Sequence, residues 1–178
     1  MRTALVTGAA GFIGYHTCRA LLAAGWRVTG LDAMTPYYDP ALKEARAARL
    51  ADTPHFSLHR GHLETDGLVA RLMDGADVVI HLAAQAGVRY SIDAPRSYVD
   101  ANLIGTYAVL QAARDAQPRH LLMASTSSVY GANTAMPYAE VHAADHPMSF
   151  YAATKKAGEA MAHSYAHRSE ERRVGKEC

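Results

Sequence analysis

Apolar and polar positions along the chain fall into two alternating rhythms. Arg2 to Thr7 is a short apolar run that ends at glycines, the pattern of a parallel strand buried on both faces. Ile13 to Ala24 spaces Ile13, Leu21 and Leu22 among small residues, and Gly25 follows as a helix stop signal. Trp26 to Leu31 reads as a second strand, Pro36 to Pro40 as a loop and Ala41 to Ala51 as a charged helix. His55 to His59 alternates as a third strand, Leu68 to Met73 fits a helix, and Ala76 to Leu82 a fourth strand. Tyr98 to Ala116 predicts one long helix, His120 to Ser125 a fifth strand, and Ser149 to His167 a final long helix. Strands alternating with helices imply βαβ units and a parallel sheet, hence an α/β fold.

Composition narrows the classes without changing that picture. The chain has 178 residues, 49% hydrophobic and 20% charged, with 18 basic against 17 acidic residues. High apolar content at low net charge argues against disorder. The charge balance argues against a nucleic-acid binder that relies on a broad basic surface. No apolar run reaches the roughly 18 residues of a membrane span. Met1 to Gly14 superficially resembles a signal peptide, yet its glycines and the following helix pattern fit a strand and turn, so a cytoplasmic location is expected. Cys18 and Cys178 make no disulfide framework or metal set. His142 with His146, and His163 with His167, are each four apart but lack a third ligand at metal-site spacing, so no metal is expected.

The first chemical signal lies at Thr7 to Gly14, T-G-A-A-G-F-I-G. Gly8, Gly11 and Gly14 would let the backbone turn sharply and approach a pyrophosphate, with the next helix directing its N-terminal N–H groups at the anion. The motif follows a strand and opens a helix, which is the context its chemistry needs. Asp32 closes the second strand, where an acid accepts bonds from ribose hydroxyls and repels a 2′-phosphate. No arginine is adjacent to it in sequence, so no phosphate clamp is expected, and the position favours NAD over NADP.

The second signal is Tyr151 with Lys155, Y-A-A-T-K, one helical turn apart. A tyrosine of ordinary pKa, about 10, is a poor base at neutral pH, and a nearby cation favours the phenolate. Ser125, Thr126, Ser127 and Ser128 directly follow the fifth strand, at the carboxyl end where open parallel sheets bind ligands. A hydroxyl there can bridge Tyr151 and a substrate hydroxyl.

Together these strings resemble the extended short-chain dehydrogenase/reductase family, and within it the nucleotide-sugar epimerases. The strings that carry the likeness are T-G-A-A-G-F-I-G, H-L-A-A-Q-A-G-V-R from His81, N-L-I-G from Asn102, S-T-S-S-V-Y-G-A-N from Ser125, and Y-A-A-T-K from Tyr151. H-L-A-A-Q-A-G-V-R-Y-S, P-Y-Y-D-P-x-L-K and D-H-P-M-S-F-Y-A-A-T-K-K are most similar to UDP-glucuronate 4-epimerases. The resemblance spans Arg2 to about His167 and implies a doubly wound, Rossmann-type sheet. By this likeness Gly8, Gly11, Phe12, Ile13 and Gly14 would hold the pyrophosphate of NAD, and Asp32 its ribose. Leu82, Ala83 and Ala84 would line the cofactor cleft, and Lys155 would bind the nicotinamide ribose. Thr126 would be the catalytic hydroxyl and Tyr151 the base. Arg89, Ser91, Ser127 and Ser128 would lie near a UDP-sugar substrate. The family usually carries aspartate after Gly61 as an adenine contact, and here the residue is His62.

The implied reaction inverts carbon 4 of the sugar through a 4-keto intermediate. Related dehydratases place an Asp-Glu pair after the threonine and decarboxylases a glutamate in that segment; Ser127 and Ser128 stand there instead, which favours epimerisation. Other epimerases, a dehydratase or reductase of the family, and a non-catalytic NAD-binding module remain as alternatives. A homodimer is compatible with the resemblance.

The end of the chain differs in kind. From Arg168 it reads R-S-E-E-R-R-V-G-K-E-C, with seven charges in eleven residues, and removing them leaves fourteen of each sign. This string resembles the translation of a sequencing adapter. The expected division is therefore a cofactor-binding domain over 1–167, incomplete at a further strand and a substrate lobe, and a foreign tail over 168–178. Little activity is expected of the 178-residue chain.

Overall fold

The computed structural model describes residues 1–168; the charged tail lies outside them, save for the backbone of Arg168, which is helical. The chain divides into two compact units. Met1–Ala83 with Gln111–Ala124 form the first, and Ala84–Leu110 with the residues from Ser125 form the second.

The first unit is a five-stranded sheet, all parallel, in the order β3-β2-β1-β4-β5. Its strands are β1 (Thr3–Thr7), β2 (Arg27–Asp32), β3 (Phe56–Arg60), β4 (Val78–His81) and β5 (His120–Met123). The order reverses beside β1, which is the topology of a Rossmann-type dinucleotide-binding sheet and creates a switch point at the carboxyl ends of β1 and β4. Helices α1 (Phe12–Ala23), α2 (Pro40–Ala51) and α3 (Leu68–Met73) connect the strands. Tyr15 and Cys18 of α1, Leu50 of α2, and Val6, Ala9 and Val28 form one buried core cluster. Leu21, Leu22, Trp26, Phe56, Leu58, Ile80 and Leu82 pack against it.

Local chemistry explains the boundaries. Gly25 takes a φ of +77° past the end of α1; its N–H donates to the Leu22 carbonyl and that of Trp26 to the Leu21 carbonyl. This pairing satisfies two carbonyls that a helix end would leave without partners. Trp26 is thereby spent on the helix stop, so β2 begins at Arg27, one residue later than the expected strand. His55 has a φ of +68°, outside the extended region, and β3 accordingly starts at Phe56. Asp39 caps α2 by accepting from the Ala41 N–H at 2.9 Å, with Pro40 in the first turn.

The second unit holds α4 (Tyr90–Asp93), α5 (Pro95–Tyr98), a π-helical turn (Val99–Ile104), the start of α6 (Gly105–Ala116), a 3-10 turn (Ser127–Tyr130) and α7 (Phe150–Arg168). The single helix expected from Tyr98 to Ala116 is thus interrupted by the wide turn. That turn seats Asn102, which is buried among polar partners.

Candidate functional site

Each unit carries one group of the residues singled out in sequence. In the first unit, Thr7 ends β1 and the chain turns at Gly8, whose φ is +72°. The Gly8 and Ala9 N–H groups donate to the Leu31 carbonyl at 2.7 and 3.2 Å, which ties the turn to β2. A Cβ on Gly8 would lie 2.9 Å from the Ala83 nitrogen, and one on Gly14 would collide with the Gly8 carbonyl oxygen. These two glycines are required because backbone passes where a side chain would stand. Gly11 precedes α1 and offers no side-chain cap to the first N–H groups of that helix. Phe12 and Ile13 flank that end, 66% and 64% exposed.

Asp32 sits at the carboxyl end of β2, buried. One carboxylate oxygen accepts from the Ala10 N–H at 3.0 Å; the other accepts from the Met34 N–H at 2.8 Å and from Lys43 Nζ at 3.2 Å. Sequence adjacency places no arginine by this acid, and the cation that meets it is a lysine brought by α2. Lys43 is itself buried against Asp32, and Arg46 follows one helical turn on, donating to the Ala10 carbonyl at 3.3 Å and to the Tyr38 hydroxyl at 3.2 Å. Both cations arrive because α2 folds back over the end of β2, which adjacency in sequence does not reveal. His62, in place of the family's aspartate, is exposed and pairs with Glu64 at 3.2 Å. Leu82 and Ala83 follow β4, and both of their N–H groups donate to the Thr7 hydroxyl, at 3.2 and 3.1 Å. Ala84 begins the second unit.

In the second unit, Thr126 is the N-cap of the 3-10 turn. Its Oγ1 accepts from the Ser128 N–H at 3.3 Å and donates to the Ser128 hydroxyl at 3.4 Å. Ser127 and Ser128, with Val88, Gly131, Tyr138, Met148 and Ser149, line a cavity of about 280 Å³. Gly131 closes this turn with a φ of +52°, where a Cβ would strike the His146 carbonyl oxygen. Tyr151 and Lys155 lie on one face of α7 at the start of that helix. Burial holds the Lys155 ammonium below the ordinary lysine range, and the carboxylate of Glu159 partly opposes that shift. Glu159 also accepts from the Ser125 hydroxyl and from Lys156 Nζ at 3.1 Å.

The strings N-L-I-G and Y-A-A-T-K are joined by contacts that neither motif shows by itself. The Asn102 amide donates to the Gln85 carbonyl and the Thr154 hydroxyl, both at 3.0 Å, and accepts from the Gln85 N–H at 2.8 Å. Thr154 in turn donates to the Tyr151 carbonyl at 2.8 Å. The Tyr98 ring stands 6.0 Å from that of Tyr151, edge to face, and its hydroxyl donates to the Ala86 carbonyl at 2.7 Å. This buried chain fixes the backbone that carries Tyr151. Two expected substrate residues fare differently. Arg89 is exposed at the start of α4, whereas Ser91 is 1% exposed and its hydroxyl donates to the Val88 carbonyl at 2.6 Å. Of the histidines, His142 accepts from the Ala139 N–H at 3.2 Å, and among the described residues no three potential ligands come together to hold a metal.

Comparison with known proteins adds independent findings. A model of the NAD dependent epimerase/dehydratase family matches residues 4–174. The chain is 53% identical over 165 residues to a probable UDP-glucuronate 4-epimerase of Rhizobium meliloti (strain 1021), covering 92% of this chain and 48% of that protein. It superposes on the crystal structure of UDP-glucuronic acid 4-epimerase from Bacillus cereus in complex with UDP-glucuronic acid and NAD, with a TM-score of 0.87 and 35% identity. That match covers 93% of this chain and 52% of the other. A dTDP-glucose 4,6-dehydratase from Streptomyces venezuelae, the DesIV double mutant with NAD and DAU bound, superposes nearly as well, with a TM-score of 0.84, 34% identity and coverage of 96% and 53%. The chain therefore spans about half the length of the relatives it matches.

Proposed function

The chain belongs to the NAD dependent epimerase/dehydratase family, and we propose that the whole protein inverts carbon 4 of a UDP-sugar, interconverting UDP-glucuronate and UDP-galacturonate. The fold alone does not choose between epimerase and dehydratase, since both superpose on it. The observation that carries the choice is that Ser127 and Ser128 line the cavity; by the resemblance drawn from the sequence, a dehydratase would carry an acid and a base for expelling water at those two positions.

The first unit fits a dinucleotide. The cradle at Gly8 and Gly14 is one that a Cβ would fill, and the start of α1 keeps its N–H groups clear of side-chain caps. Gly8, Gly11, Phe12, Ile13 and Gly14 would hold the pyrophosphate of NAD, Asp32 with Lys43 the adenosine ribose, and Leu82, Ala83 and Ala84 the cleft wall. Lys155 would bind the nicotinamide ribose. Bound NAD supplies reversible acceptance of the hydrogen on sugar carbon 4.

The proton chemistry belongs to the chain. Tyr151, as phenolate, takes the proton of the carbon 4 hydroxyl and later returns it; Thr126 bridges the two oxygens. Lys155 on the same helical face favours the phenolate by its charge. The ketone formed at carbon 4 is planar, so the sugar can present either face before the proton comes back. Arg89, Ser127 and Ser128 would contact the sugar nucleotide. Ser91, its hydroxyl already bonded inside the chain, would act by shaping the loop that carries Arg89. A homodimer and a cytoplasmic location are part of the same proposal.

The test is turnover by the purified full-length protein with UDP-glucuronate, followed by proton NMR of the sugar ring. Appearance of the 4-epimer is expected. A 4-keto-6-deoxy product from a dTDP- or UDP-hexose, with no epimer, would replace the reading by dehydration, and NAD binding without any product would leave only a binding module.

A further inference from the structure

His81 ends β4, is 3% exposed and takes no part in the chemistry just described. The parallel register sets it opposite Thr7, the last residue of β1, and its Nδ1 lies 2.8 Å from the Thr7 hydroxyl oxygen. That oxygen has two further neighbours, the N–H groups of Leu82 and Ala83 at 3.2 and 3.1 Å, and the Leu82 N–H is shared with the Thr7 main-chain carbonyl at 3.3 Å. A hydroxyl accepts twice and donates once. Both backbone groups can only donate, so His81 Nδ1 is the one of the three neighbours that can accept the hydroxyl proton. His81 Nδ1 therefore carries no proton, and the neutral ring holds its hydrogen on Nε2.

We propose that His81 is a positioning residue for the glycine turn: by accepting the Thr7 hydroxyl proton, it turns the Thr7 oxygen's lone pairs to the Leu82 and Ala83 N–H groups and fixes the backbone beside Gly8. The consequence is local and steep. Gly8 passes so near Ala83 that a Cβ would lie 2.9 Å from its nitrogen. A ring that cannot accept leaves the hydroxyl to rotate, and the Ala83 N–H loses its acceptor, while the Leu82 N–H keeps the Thr7 carbonyl. The segment Leu82–Ala83 then has no reason to stay where the turn needs it. The effect on NAD rests on the cofactor reading above; the hydrogen-bond arrangement does not.

Two measurements on the full-length protein separate these claims. Long-range proton–nitrogen NMR of the ligand-free protein at neutral pH should show His81 with a bare Nδ1 and a protonated Nε2. Amide exchange at Ala83 should be slow. In His81→Asn the side-chain oxygen can stand in for Nδ1, so exchange at Ala83 and NAD affinity should stay within about threefold of the parent protein. In His81→Leu exchange at Ala83 should quicken, and NAD affinity should fall, each by about tenfold or more. Thr7→Ser should behave as the parent and Thr7→Val as His81→Leu, which decides the matter if one variant fails to fold. A proton on Nδ1, or full protection of the Ala83 amide in folded His81→Leu or Thr7→Val, overturns the proposal. Absence of NAD binding by the parent protein would remove the cofactor reading, while the tautomer and the amide exchange would still decide the role of His81.

Discussion

At Lys155 two electrostatic effects oppose each other. Burial disfavours the ammonium and lowers its pKa; Glu159, one turn further along α7, raises it. In the proposed reaction the charge on Lys155 sustains the Tyr151 phenolate, so activity should fall on the alkaline side as Lys155 loses its proton. Glu159→Gln removes the upward pull. The alkaline limb of the pH–rate profile of the full-length enzyme should then move to lower pH, with the acid limb in place; an unmoved alkaline limb would remove Glu159 from this role. For stability the direction is opposite. A lysine whose folded pKa lies below its unfolded value binds its proton less well when folded, so its unfavourable contribution is full below the lowered pKa and fades as pH rises from there to the ordinary lysine value. At Asp32 the chemistry was legible and its setting was not. The acid was readable from its place at the end of β2, whereas Lys43 lies eleven residues on and reaches it only because α2 folds back.

Among the elements, α7 is the one whose placement matters most to the chemistry, and a buried polar chain holds it within the second unit. Thr154 both accepts from Asn102 and donates to the Tyr151 carbonyl. Thr154→Val keeps the shape and removes both bonds, leaving a buried amide donor and a carbonyl short of partners. We expect a loss of roughly 1–3 kcal/mol in unfolding free energy, read by chemical denaturation, and recovery in Thr154→Ser. An unchanged midpoint would mean that the packing alone holds the helix. The start of α7 was legible from periodicity to within a residue. The wide turn at Val99–Ile104 was not, because a periodic pattern reports which face is apolar and carries no record of where one polar side chain must turn inward. The short helices α4 and α5 escaped for a related reason: four residues are too few to display a period.

At the scale of the whole molecule, β5 is the outer strand of the sheet and pairs, among the described residues, with β4 alone. Leu122 on it is 45% exposed. An unpaired apolar edge is a template for association, and a charge on it is the usual remedy. Leu122→Lys should therefore reduce the concentration-dependent light scattering of the 178-residue chain; equal scattering in both would place the sticky surface elsewhere. What the sequence determined by itself was whatever is settled within a few residues. The glycines at 8, 11 and 14 mark a turn: Gly8 takes a positive φ, and at Gly8 and Gly14 backbone passes where a Cβ would stand. The alternation of strand and helix periods fixed the α/β class, and the Tyr151–Lys155 spacing fixed a shared helical face. Only the tertiary structure decided which distant groups meet. Thr7 and His81 are 74 residues apart and touch because β1 and β4 are neighbours in register. Lys43 meets Asp32, and Asn102 meets Thr154, by the same kind of closure. Hydrogen bonds act over about 3 Å, so the partner of a buried polar group is set by how strands and helices are brought side by side. Local sequence specifies each element and leaves that arrangement to the fold.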